Sequence, residues 1–313
     1  MKIVFLDRKS IGDDLDLSYF KELGEVIFYD FTKEEEIAPR VQDADIIVLN
    51  KAQINEKTIG NAKNLKLVCV TATGTNNLDK DYLDSRNIQW RNVAGYSTDS
   101  VAQHTFAILF YILEKLSYYD KYVKDEKYVN DKLFTHFEKS FYELNGKRWG
   151  IIGLGNIGRK VAQIATAYGC EVVYYSPSGS KRKENYKQVE LDEILETSDI
   201  LSIHAPLTDD TYHLIDKSKL KKMKSNAILV NVARGPIIVE QDLVDALNEN
   251  IIAGAALDVL DKEPMSEDSP LRQVKDSTKL IITPHIAWAC VEARNRLMRI
   301  IYDQIKEYED EMK

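Results

Sequence analysis

The sequence predicts an α/β protein built from two doubly wound parallel sheets, and three observations carry that expectation. Short apolar, β-rich runs alternate with helical or turn segments along most of the chain, the pattern of parallel strands joined by crossover helices. A Gly-x-Gly-x-x-Gly loop, Gly153 to Gly158, stands near the midpoint of the chain, so a comparable length of structure precedes it. The 313 residues also exceed the roughly 100–200 of one typical domain.

The first part reads as strands at residues 2–7, 25–30, 45–49, 65–71 and 88–92, with turns or helices between them. Residues 101–113 are helical in pattern and too apolar for a single buried face, so they read as a buried connecting helix. Residues 118–142 are dense in aromatics, among them Tyr119, Tyr122, Tyr128, Phe134, Phe137 and Phe141. Two readings stand for this stretch: a local mini-core, or an arm that contacts a second subunit. After the Asn145-Gly146 turn, residues 147–153 form a strand. Val161, Ile164, Ala165 and Tyr168 then give the next helix its apolar stripe, and Gly169 ends it. Strands follow at 172–175, 200–204, 227–232, 253–259 and 280–283, with helices near 191–197, 217–223 and 240–250. The last segment, about 289–308, is helical and too short to stand alone. It is expected to pack on the N-terminal unit, giving a discontinuous domain of residues 1–99 and 288–313 around a domain of residues 100–287.

Composition narrows the function. A net charge of −8 argues against a dominant nucleic-acid surface, which needs a basic stripe. No apolar run approaches the roughly 20 residues of a spanning helix, and Met1 to Arg8 reads as a first strand, not a signal peptide. A cytoplasmic protein is expected, without nucleic-acid or membrane partners. Cys69, Cys170 and Cys290 lack CxxC spacing, so neither a disulfide nor a metal site is expected.

Strand, glycine loop and helix in that order form a phosphate cradle, since glycines permit close backbone approach and the helix N-terminus attracts the anion. In an open parallel sheet, ligands collect at the carboxyl ends of the strands. Those ends supply Ser176, Pro206, Arg234, Asp258, Glu263 and His285. Arg234 offers a planar fork for the carboxylate of a 2-oxo acid. His285 suits a proton donor to the oxygen that gains charge when hydride adds to the carbonyl. Glu263, on an adjoining strand-end loop, is placed to hold that imidazolium. His204 and His213 read as polar loop residues. Lys51 reads either as a solvated lysine or as a residue facing the substrate.

Four ordered stretches resemble the D-isomer-specific 2-hydroxyacid dehydrogenase family: Gly150-Ile-Ile-Gly-Leu-Gly-Asn-Ile-Gly158, Asn231-Val-Ala-Arg-Gly-Pro236, Ala256-Leu-Asp-Val-Leu-Asp-Lys-Glu-Pro264 and Thr283-Pro-His-Ile-Ala-Trp288. Thr73 to Asp79 resembles the family's substrate-carboxylate loop, and Ser100 to Phe106 the start of its interdomain helix. The resemblance implies a Rossmann dinucleotide-binding domain inserted in a flavodoxin-like substrate domain, and a homodimer. It implies that Arg234 orients substrate, that His285 is the acid/base and that Glu263 is its partner. The amides of Thr73 and Gly74 would hold the substrate carboxylate, and Asp258 would accept a bond from the nicotinamide amide. The implied cofactor-binding set is Gly153, Gly155, Asn156, Ile157, Gly158, Ser176, Pro206, Thr211, Val232, Ala233, Arg234, Asp258 and His285.

Within the family the Thr-Gly-Thr-Asn-Asn and His-Ile-Ala-Trp stretches look most like the hydroxypyruvate reductase, or glycerate dehydrogenase, branch. D-lactate-type or branched 2-oxo acid reduction is the alternative, and a non-catalytic dinucleotide sensor is a second, opposed by retention of Arg234, Glu263 and His285. The cofactor stays open between NAD and NADP. An NAD site commonly has an acid near the end of its second strand, and here that place reads Tyr174-Tyr175-Ser176-Pro177-Ser178. With Lys181, Arg182 and Lys183 following, NADPH is expected to serve at least as well as NADH; a solvated basic loop is the alternative. Substrate is expected between the two domains, with hinges near Asp99 and Ala287.

Overall fold

The computed structural model describes residues 1–180 and 184–311, so the basic run Lys181 to Lys183 lies outside the described residues. The chain forms two compact units, residues 1–97 with the segment from Trp288 onward, and residues 98–287.

The first unit holds a parallel sheet of β1 (Lys2–Phe5), β2 (Glu25–Phe28), β3 (Ile46–Leu49), β4 (Leu67–Val70) and β5 (Gln89–Arg91), in the order β2-β1-β3-β4-β5. This is the flavodoxin-like order. Helices α1 (Glu34–Val41), α2 (Glu56–Ile59) and α3 (Lys80–Ser85) connect the strands. Alternate residues of each strand go to opposite faces, and both faces are buried. Ile3, Phe5, Ile46, Val48, Leu67 and Cys69 enter one core, while Val4, Leu6, Ile47, Leu49, Val68 and Val70 enter the other. The final helix, Val291–Glu311, covers the first of these faces through Ala293, Leu297, Met298, Ile301, Ile305 and Tyr308. Their helical spacing puts one stripe on the sheet, and each fully buried aliphatic side chain contributes about 1.5–3 kcal/mol.

The second unit begins with α4 (Thr98–Leu113) and α5 (Leu116–Lys124). Its parallel sheet comprises β6 (Arg148–Ile152), β7 (Glu171–Tyr175), β8 (Lys187–Gln188), β9 (Ile200–Ile203), β10 (Ile228–Asn231), β11 (Gly254–Leu257) and β12 (Leu280–Ile282). Their order is β12-β11-β10-β9-β6-β7-β8. Helices α6 (Asn156–Ala167), α7 (Leu191–Thr197), α8 (Lys217–Leu220) and α9 (Glu240–Asn248) complete the winding. The order reverses between β6 and β9, which is where such a sheet opens a crevice for a ligand.

Two expectations are corrected here. Helix α4 is not buried all round: Val101, Ala102, Thr105, Phe106, Ile108, Leu109 and Ile112 form a broad buried face, while Gln103 and Ala107 are exposed. The 118–142 stretch holds no mini-core. No residue of α5 is buried, and Leu133, Phe134 and Phe137 are 69%, 88% and 78% exposed. Order there comes from polar and ring contacts, with His136 stacked on Tyr122 at 3.8 Å and bonded to the Tyr118 hydroxyl at 2.8 Å.

Candidate active site

The glycine loop leaves β6 through Gly153, whose φ of +91° suits glycine alone. A Cβ there would also lie 2.7 Å from the Cα of Ala205, beneath the loop that leaves β9. A Cβ on Gly158 would press on the carbonyl of Gly153, so α6 and β6 approach too closely for any other residue. Gly155 differs from both. It caps α6, and no heavy atom lies within 4 Å of where its Cβ would stand. Fold sterics therefore do not demand glycine at 155, and the first-turn amides of Asn156, Ile157 and Gly158 beyond it attract an anion as at any helix N-terminus.

That loop forms one wall of a cavity of about 300 Å³. Of the residues expected at a cofactor, Gly153, Gly155, Ser176, Pro206 and Thr211 line it. Thr211 is buried, and its hydroxyl donates to the Pro206 carbonyl at 2.7 Å and accepts from the Thr208 amide at 2.8 Å, holding the turn after β9. Ser176 lies within 3.3 Å of both Ser178 and Ser180, whose hydroxyls are 2.9 Å apart. Amides at a helix end for a pyrophosphate, and hydroxyls beyond them for a ribose, fit a dinucleotide.

The cavity also takes residues outside the expected cofactor set: Tyr174, Ser180, Glu184, Thr208, Asp210 and His204. His204 lies in the loop after β9, as expected, and also lines the cavity. Its Nε2 lies 3.0 Å from the Ser202 hydroxyl, which in turn accepts from Trp149 Nε1 at 2.8 Å. Burial pushes its pKa down to about 3, so it stays neutral at ordinary pH. Its place at a strand end beside Pro206 was the available signal. His213 is exposed and stacks on Tyr212.

Val232, Ala233, Arg234, Asp258, Glu263 and His285 follow the carboxyl ends of three neighbouring strands, β10, β11 and β12. After β10, buried Asn231 braces the turn, donating to the Arg234 carbonyl at 2.9 Å and accepting from the Ala233 amide at 3.0 Å. Val232 and Ala233 form that turn. Arg234 donates through Nη1 to the Ala233 carbonyl at 2.7 Å. The next residue must be glycine, because a Cβ on Gly235 would collide with the backbone of Leu260 and Asp261. That contact brings the loop after β11 against the Arg234 turn. On the same loop, Glu263 accepts from the Leu260 amide at 3.0 Å through one oxygen and faces His285 Nδ1 at 2.7 Å through the other.

His285 follows β12 with φ of +55°. Its amide donates to the Asp258 carbonyl at 2.8 Å and to the Thr283 carbonyl at 2.9 Å, which holds this left-handed conformation. With Glu263 on Nδ1, the tautomer leaves Nε2 as the atom directed elsewhere. Asp258, which the family resemblance implies as the acceptor for the nicotinamide amide, is already engaged within the protein. Its side chain has no exposed surface, and it accepts from Thr283 Oγ1 at 2.5 Å and from the Ile286 and Ala287 amides at 2.9 and 2.8 Å. Burial works against its ionisation, yet bonds from His104, Thr283 and those amides hold its carboxyl below the usual range. Asp258 thus anchors the loop that carries His285.

Thr73 and Gly74 lie in the first unit, after β4. Thr73 donates its hydroxyl to the Val93 carbonyl at 3.0 Å, and Asn77 ties the same loop to Asn50 and Ala52 at 3.2 and 2.9 Å. Asp7, with its pKa raised by burial, accepts from the Asn50 and Lys51 amides at the end of β3. The Lys51 side chain is exposed.

Among the described residues no group of His, Cys, Asp and Glu is arranged to hold a metal ion, and no helix is long and apolar enough to cross a membrane. Residues 106–287 match the family model described as "D-isomer specific 2-hydroxyacid dehydrogenase, NAD binding domain". The chain is 39% identical to a hydroxypyruvate reductase of Blautia hydrogenotrophica, over 98% of this chain and 97% of that one. It superposes on an acyclic imino acid reductase in complex with NADPH and D-Arg with a TM-score of 0.87, at 30% identity and covering 99% and 98% of the two chains. The corresponding values for D-lactate dehydrogenase from Aquifex aeolicus, complexed with NAD and lactic acid, are 0.85, 26%, 98% and 95%.

Proposed function

Because the chain belongs to the D-isomer specific 2-hydroxyacid dehydrogenase family, and so is a nicotinamide-dependent oxidoreductase of small 2-oxo acids, we propose that it reduces hydroxypyruvate to D-glycerate and glyoxylate to the achiral glycolate. The observation that carries the catalytic part is the 2.7 Å pair of Glu263 and His285 beside the Arg234 turn. A bound nicotinamide supplies the hydride. Arg234 pairs with the substrate carboxylate and polarises its neighbouring carbonyl. His285 gives a proton from Nε2 to the carbonyl oxygen, and Glu263 keeps the ring in the required tautomer and balances its charge. In the oxidative direction the same pair withdraws the proton. The amides of Thr73 and Gly74 take the substrate carboxylate on the strength of their family-like loop. Gly153 to Gly158, Ser176, Pro206 and Thr211 hold the dinucleotide, with Val232, Ala233 and Asp258 shaping the nicotinamide end.

A panel of hydroxypyruvate, glyoxylate, pyruvate and 2-oxoisocaproate against NADH and NADPH tests this reading. Hydroxypyruvate and glyoxylate are expected to give the highest kcat/KM, with NADPH serving at least as well as NADH. Preference for 2-oxoisocaproate would select the branched-chain alternative, and no turnover at all the sensor.

We also infer a homodimer. The exposed Leu133, Phe134 and Phe137 make an apolar surface that a second copy would cover. Light scattering should give twice the chain mass for the wild type and the single-chain mass for a Phe134→Asp/Phe137→Asp variant. A monomeric wild type would remove the inference. The three cysteines are free thiols, which suits a reducing compartment such as the cytoplasm.

A further inference from the structure

The end of β7 offers Ser176 where an acid often binds the adenosine ribose, yet an acid reaches the same cavity from farther along the loop. Glu184 lines the wall that Ser176, Ser178 and Ser180 also line. Its side chain is 14% exposed, and Arg159, in the first turns of α6, clamps it. Arg159 Nε lies 3.2 Å from each carboxylate oxygen, and Nη2 lies 2.6 Å from Oε1. The serine hydroxyls are neutral and serve a ribose hydroxyl or a phosphate equally well. Charge must therefore discriminate. Among the described lining residues the charged ones are Glu184 and Asp210, both acidic.

We propose that the Arg159–Glu184 pair sets the choice between NADH and NADPH, with Glu184 opposing a 2′-phosphate and Arg159 offsetting that opposition. The proposal rests on the reading of this cavity as the adenosine end of a nicotinamide dinucleotide site. A carboxylate at the ribose favours NADH by accepting from the 2′-hydroxyl and repelling a 2′-phosphate. A guanidinium bound to that carboxylate across its fork neutralises it and stands next to any incoming phosphate. The pair carries no net charge of its own, so beside the serines it favours neither dinucleotide strongly. Its two halves act in opposite senses, and that difference in sign separates this role from a merely structural ion pair.

The test measures Kd for NADH and NADPH by calorimetry, and kcat/KM for both with hydroxypyruvate, in wild type, Glu184→Gln, Arg159→Met and Asp210→Asn. Glu184→Gln keeps shape and hydrogen-bonding capacity, frees Arg159 from a full counter-charge, and is expected to shift the Kd ratio toward NADPH by about tenfold. Arg159→Met takes the clamp off the carboxylate and is expected to shift it toward NADH by a similar factor. Ratios within about twofold of wild type in both variants, or shifts in one common direction, would overturn the proposal. So would a shift in Asp210→Asn with none in Glu184→Gln, because the discriminating acid would then be Asp210. If the wild type bound neither dinucleotide, the cofactor reading itself would fall, a result distinct from an unmoved ratio.

Discussion

Replacing His285 by Ala is expected to lower kcat about 10³-fold, within the 10²–10⁴ range of a positioned acid or base, while the Kd for NADH changes little. The expectation follows from how firmly the structure holds this ring. Its backbone is locked at positive φ by two carbonyls, and the loop beyond it is tied to the buried carboxylate of Asp258. Glu263 fixes Nδ1 at 2.7 Å. Without the imidazole the carbonyl oxygen gains charge with no proton at hand, and water is a poor substitute because it is not held in place. Glu263→Gln retains an acceptor for Nδ1 and loses only the charge, so its kcat should fall by a smaller factor, about 10–100. Stopped-flow hydride transfer and fluorescence titration of NADH check both. If His285→Ala kept wild-type kcat, the proton would come from elsewhere and the assignment would be lost.

Arg234→Lys carries the second large expectation, a fall of about 10²-fold in kcat/KM, with Arg234→Ala lower still. Lysine keeps a positive charge but replaces a planar fork by a point charge. Losing one charged hydrogen bond costs about 1.5–3 kcal/mol, which is roughly 10- to 100-fold, and the carbonyl is also less well polarised. The surrounding turn should survive, because Asn231 and the close approach of Gly235 to Leu260 hold its backbone independently of the guanidinium. An unchanged Tm would show that the turn is intact, so a kinetic loss would be chemical. Near wild-type kcat/KM in Arg234→Lys would mean that charge alone suffices and that no fork is formed.

Several features were legible because short-range chemistry dictates them. Continuous apolar runs marked β1, β3, β4, β6 and β9, since burial on both faces selects β-branched and aliphatic residues in succession. The loop at Gly153 to Gly158 was legible because a tight turn, a close helix approach and an open anion site each require a missing Cβ. Arg234, Glu263 and His285 were legible as strand-end residues. Other features escaped. Strand β8 is two residues long and has no periodicity to read. Glu184 and Asp210 sit in loops whose course no local pattern specifies. The apolarity of α4 suggested complete burial, but its buried face is broad and Gln103 and Ala107 on the far side are exposed.

The sequence by itself determined the two α/β units, the glycine loop and the three residues we propose for hydride transfer to a 2-oxo acid. These follow from backbone period and from chemistry written in consecutive residues. Only the tertiary structure decided which distant residues meet. It drew β10, β11 and β12 side by side, so that residues separated along the chain, Glu263 and His285, stand 2.7 Å apart. It enclosed Asp258 as an anchor, turned His204 into the wall of the cavity, and brought Glu184 to the serines with Arg159 upon it. The physical reason is that strand order and loop course are set by long-range packing, which no window of sequence contains, whereas turn, strand and helix are set by neighbours a few residues away.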